Sequence, residues 1–158
     1  MHRAFSRYSF VLSILWFGIA AFIAYVETPL RFQPERISLE DALSIGHLVF
    51  HALNATELFL AAALVVACLI SRGARSDRVF AKRISLSLAI AVSILLVQTG
   101  MLFTVLDWRT EAILRGEEVA PSMHHQIYIG LDLIKLLAVA ALAAFQIRQF
   151  ELAEPPLN

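Results

Sequence analysis

The chain has 158 residues, 59% of them hydrophobic and only 16% charged, with no net charge and a mean hydropathy of +0.71. A soluble domain is nearer half apolar and about a quarter charged, so the composition excludes a soluble fold and reads as an integral membrane protein. The balanced charge argues against nucleic acid or a strongly anionic substrate, and the length suits one transmembrane domain over residues 1–150 with a flexible tail at 151–158.

Four apolar stretches each approach the roughly 20 residues that cross about 30 Å of hydrocarbon. The first runs from Tyr8 to Leu30. Arg3 and Arg7 precede it as in a secretory signal, but its apolar core is long and Phe22 and Ile23 leave no small-x-small site before Ala24, so it reads as a retained helix. Pro29 and Pro34 flank its end, proline having no amide hydrogen to continue a helix. The second stretch runs from Ala42 to Ile70 and is followed by a link, Ser71 to Asp77, containing Gly73. The third runs from Ile84 to Leu106, and Pro121 precedes the fourth, Ile127 to Ile147. A strand in lipid leaves backbone groups unpaired, so the expectation is an all-α integral membrane four-helix bundle, up-down-up-down.

Gly18, Gly46, Gly100 and Gly130 place one glycine in each helix, and small residues four apart occur at Ala20 with Ala24, Ala89 with Ser93 and Ala140 with Ala144. Close approach at small residues holds helices together in lipid, which predicts a packed bundle and not a wide pore. Cys68 is the one cysteine, so an internal disulfide is excluded and a packing role is expected. A faint internal repeat is also visible: an acid near the end of each odd helix (Glu27, Asp107), then histidines near the start of the even one.

Lysine and arginine placement gives the orientation. With both termini on one side, that side holds eight basic residues, among them Arg3, Arg7, Arg78 and Lys82; the other holds four, Arg31, Arg36, Arg109 and Arg115. The termini are therefore expected to be cytoplasmic, in a bacterial-type inner membrane. Most acids lie at the opposite, outer ends, which makes that mouth electronegative and favourable to cations.

Ionisable groups inside apolar spans are costly, and they mark cofactor sites, ion paths or paired charges. Here they are His47, His51, Asn54 and Glu57 in the second stretch, and His125, Asp132 and Lys135 in the fourth. At about 100° per residue, the first set covers an arc of roughly 120° and the second under about 90°. Each is one helix face, and the two faces are expected to meet, joined at the outer level by Glu27 and Asp107. His47 and His51, four apart, point two imidazoles to one side, as metal ligation needs. Adding Glu27, Glu57, Asp107, His125 or Asp132 gives a mixed nitrogen and oxygen shell for zinc, iron or copper. Alternatively, His51 and His125 serve as axial ligands to haem b. No Glu-x-x-His pair is present, which counts against a ferritin-type di-iron centre.

Structural readings stand beside these. Glu57 with Lys135 is expected as a buried ion pair, and Asp132 with Asn54 and His51 as a polar network. His47, His124 and His125 read equally as hydrated interface residues, Glu27 with Arg31 as a surface salt bridge, and Trp16, Trp108 and the eleven phenylalanines as lipid anchors and core.

The run Trp16-Phe17-x-x-Ala20 through Glu27-Thr28-Pro29-Leu30-Arg31-Phe32, with a second helix opening on Gly46-His47, resembles a superfamily of small four-helix membrane proteins. That superfamily includes copper-resistance-D-like proteins and the J-type protoporphyrinogen oxidase. The J-type oxidase carries a histidine in its first helix where this chain has none, so the resemblance implies a histidine-bearing bundle holding haem or a metal, without that particular reaction. Three functions are therefore expected as alternatives: a haem- or metal-binding bundle in redox or metal handling, a small proton- or ion-coupled transporter, and a structural subunit of a membrane complex. The partners implied are the lipid bilayer and a membrane-protein partner or second copy of the chain.

Overall fold

The computed structural model describes residues 2–33, 37–71 and 78–151. Helix α1 (His2–Phe22) continues through a π-helical turn (Ile23–Glu27) into the short α2 (Thr28–Arg31). Helix α3 (Leu39–Ser71) follows; α4 (Arg78–Met101) runs through a second π-helical turn (Leu102–Leu106) into α5 (Asp107–Leu114), and α6 (His124–Glu151) completes the chain. Among the described residues there is no strand. Four spans, Tyr8–Arg31, Leu39–Ile70, Arg78–Leu114 and His124–Gln149, are long and apolar enough to cross a membrane, and the expected all-α, up-down-up-down membrane bundle is what forms. The expected 71–77 link lies, apart from the last turn of α3 at Ser71, outside the described residues, as does the tail beyond Glu151.

The helix ends follow from local chemistry. Ser38 caps α3: its Oγ accepts the Asp41 backbone amide at 3.0 Å and donates to the Asp41 carboxylate at 2.7 Å. Glu40 and Asp41 in the first turn suit the positive end of the helix. The third span continues eight residues past the expected end at Leu106, as α5, because a hydropathy pattern does not follow a helix into its polar end. Helix α5 stops at Gly116, whose φ of +76° is open to glycine at little cost. Gly116 N–H donates to Ile113 O at 2.9 Å and Glu117 N–H to Ala112 O at 3.0 Å, closing a Schellman turn.

Helix α1 packs on α3 and α6, and α4 on α6 and α3. The spans thus form a ring in which α3 and α6 face one another across the axis. Trp16, Leu60, Leu64, Ile84, Leu95, Val139 and Leu142 fill the centre. The glycine expectation needs correction. A side chain added at Gly18, Gly100 or Gly130 would meet nothing within 4 Å, and only Gly46 touches a neighbour, the Arg31 guanidinium. Close approach falls instead at buried alanines, Ala20, Ala61, Ala91 and Ala143; Ala89 and Ser93 face outward.

Candidate functional site

The first polar cluster joins α3 to the third span. His47 and His51 lie one turn apart, their rings in edge contact with centroids 4.5 Å apart. His51 Nε2 is 2.9 Å from both carboxylate oxygens of Asp107, and His47 Nε2 is 3.2 Å from Oδ1. One donor atom from each of the three residues falls within 4.8 Å of the others. The group is half-buried, with 29%, 28% and 15% of the respective side chains exposed. Below it, Phe103 packs edge-on against His51, and Asn54 Nδ2 donates to Thr99 Oγ1 at 2.8 Å.

The π-helical turn explains how one helix supplies Thr99, Phe103 and Asp107 to the same neighbour. Over those eight residues a plain α-helix drifts about 80°. The wide turn absorbs one extra residue, and the Asp107 backbone amide bonds to Leu102 O, five residues back, which returns the carboxylate to α3. In the first span the cause of the matching turn is visible in the sequence. Pro29 has no amide hydrogen and its ring would crowd the carbonyl four residues earlier; the turn at Ile23–Glu27 opens the ladder there, with Thr28 N–H and hydroxyl both donating to Ile23 O.

A second cluster occupies the bundle axis. Lys135 Nζ lies 2.6 Å from Glu57 Oε1 and 2.9 Å from Asp132 Oδ1. These are ion-pair approaches that fall outside hydrogen-bond angles. Trp16 Nε1 donates to the same Glu57 oxygen at 2.8 Å. All four side chains are buried, Lys135 and Trp16 completely. A lone charge at this depth costs several kcal/mol, and pairing is what makes it tolerable.

The expected Glu57–Lys135 pair is thus present, with Asp132 as a second acid. Asp132 does not join His51 and Asn54 as the network reading had it, because Lys135, one turn along α6, is the nearer partner. The Glu27–Arg31 pair forms, but Arg31 is only 7% exposed, so it is not a surface bridge: the guanidinium packs against the bare backbone of Gly46. His125 is exposed and lines an apolar groove with Phe50, Tyr128 and Asp132. Phe50 and His51 are adjacent, hence about 100° apart around α3, so the groove and the His47–His51–Asp107 group lie on different faces. His124 is exposed at the start of α6.

Sequence reading missed Trp16, assigned there to lipid or core. Tryptophan is common at membrane interfaces, and the signal that would have found it is its position level with Glu57 on an antiparallel neighbour. Thr99 was equally silent. No family model matches the chain, and neither curated proteins nor solved structures give a match.

Proposed function

We propose that the protein binds a divalent transition metal through His47, His51 and Asp107 near the exoplasmic face of the membrane, in metal handling or redox. The observation that carries this reading is the convergence of two imidazole nitrogens and a carboxylate within 4.8 Å. Metal bonds to such ligands are about 2.0–2.2 Å, so neighbouring donors sit roughly 3 Å apart, close to the 2.9 and 3.2 Å between nitrogen and oxygen here. Two histidines and one carboxylate suit zinc or ferrous iron and leave positions open for an exchangeable ligand. When bound, the ion supplies Lewis acidity. The chain would hold it with both rings carried one turn apart on α3 and with Asp107 closing the set from the third span. The placement of the histidines favours a metal over haem b on His51 and His125, since His125 lines the groove and does not meet His51.

The test is elemental analysis with metal titration of detergent-purified protein. About one ion per chain, no Soret band, and at least tenfold weaker affinity in His51→Ala and Asp107→Asn support the reading. Stoichiometric haem, or no metal retained at micromolar concentration, refutes it.

A second reading, proton-coupled transport, draws on the axis cluster, where one ammonium faces two carboxylates and a proton is the simplest balancing charge. Liposome flux unchanged by Glu57→Gln would remove it.

A further inference from the structure

At the end of the bundle that carries the chain termini, α4 and α6 close on a pair of phenylalanines. Phe80 and Phe145, one from each helix, meet edge to face with ring centroids 6.4 Å apart. The Arg83 guanidinium lies 5.7 Å from both centroids, a cation–π seat built by two helices at once. The seat holds the head of a long side chain that nevertheless stays exposed. No described carboxylate pairs with it: the ion pairs among the described residues fall at the opposite end of the bundle or on its axis. Lys82 and Arg148, the latter one turn beyond Phe145, are exposed at the same end. Hydrocarbon begins where this charge stops. Ile90, two turns deeper on nearly the same face as Arg83, and Leu137, about two turns deeper than Phe145, are 40% and 63% exposed.

We infer that the α4–α6 seam binds one anionic glycerophospholipid, its phosphodiester on Arg83 and its acyl chains along Ile90 and Leu137. A planar guanidinium meets two phosphate oxygens together, and basic pockets between spans at the membrane surface recognise such headgroups. The seat separates this site from the general attraction of basic residues for anionic lipid, because the two rings fix where the fork is presented and the apolar track continues from it. A soluble anion gains nothing from that track. The inference is independent of metal binding, since His47, His51 and Asp107 lie at the other end of the bundle.

The test is native mass spectrometry of the whole protein released from detergent, titrated with dioleoyl phosphatidylglycerol or dioleoyl phosphatidylcholine. Wild type is expected to retain one phosphatidylglycerol per chain, at least about tenfold more tightly than phosphatidylcholine. Arg83→Gln, which keeps much of the stem but removes the charge, brings the two lipids within about threefold of each other. Lys82→Gln removes the same charge one residue away and costs less than about threefold. Phe145→Leu leaves every charge in place and still weakens phosphatidylglycerol at least about threefold, with phosphatidylcholine unchanged. Equal affinity of wild type for the two lipids, a series of bound phosphatidylglycerols with no distinct first site, or a loss in Arg83→Gln no larger than in Lys82→Gln would each overturn the inference. So would displacement of the lipid by an equal concentration of glycerophosphoglycerol, the headgroup without its chains.

Discussion

At the scale of single residues, Lys135 carries the sharpest consequence. It neutralises Glu57 and Asp132 on the bundle axis, so Lys135→Met leaves two carboxylates buried without a cation. Removing one partner of a buried pair costs about 3–5 kcal/mol, and that loss is expected in thermal denaturation in detergent. The double variant Glu57→Gln with Lys135→Met is expected to be more stable than Lys135→Met alone, because it removes one uncompensated charge. Trp16→Phe keeps the ring volume but takes away the indole donor to Glu57, a loss of about 1–3 kcal/mol by the same measurement. Glu57 and Lys135 were legible in the sequence because charge in an apolar run has few bland explanations. Trp16 was not, because a tryptophan in a membrane helix has several, and only its depth opposite Glu57 distinguishes them.

At the scale of elements, the π-helical turns decide where the acids point. A straight α-helix of constant pitch, the assumption behind any face drawn from sequence, turns Asp107 about 80° away from the side carrying Thr99. The extra residue accommodated at Leu102–Leu106 reverses that drift. Deleting Thr104, which is exposed, is therefore expected to restore a regular helix that still aims the carboxylate at His47 and His51, with metal affinity within about threefold of wild type. Inserting one alanine after Leu106 swings Asp107 by about 100° and is expected to abolish binding, with helix content by circular dichroism unchanged. Pro29 marks the first turn in the sequence; no comparable marker precedes the second, which is why the sequence offered Asp107 only as one of five candidates to join His47 and His51 and did not single it out. Both odd spans carry such a turn beside their acid, in keeping with the faint repeat of acid and histidine along the chain.

At the scale of the whole molecule, four spans were legible because hydrophobic length leaves lipid-embedded backbone little choice but helix. Their ends were less so: α3 runs 33 residues, about 50 Å at 1.5 Å per residue, and its first turns carry Glu40 and Asp41 beyond any apolar stretch. Basic residues bias one end of the bundle and acids the other, which predicts the side on which the histidines open. With Cys68 replaced by serine, Glu117→Cys is expected to react with a membrane-impermeant maleimide in intact cells, and Arg78→Cys only after lysis. The reverse pattern would place the metal group on the cytoplasmic side.

The ion pair on the axis also constrains how the molecule is made. Glu57 emerges from the ribosome long before Lys135, and until α6 is synthesised the acid in α3 has no cation to meet. An unpaired charge at a helix centre costs about 2.5–3.5 kcal/mol on insertion, so the nascent second span has reason to linger at the translocon or beside a chaperone until the last span arrives. Biogenesis is then timed by the final segment, and truncation before it should leave an intermediate marked for degradation.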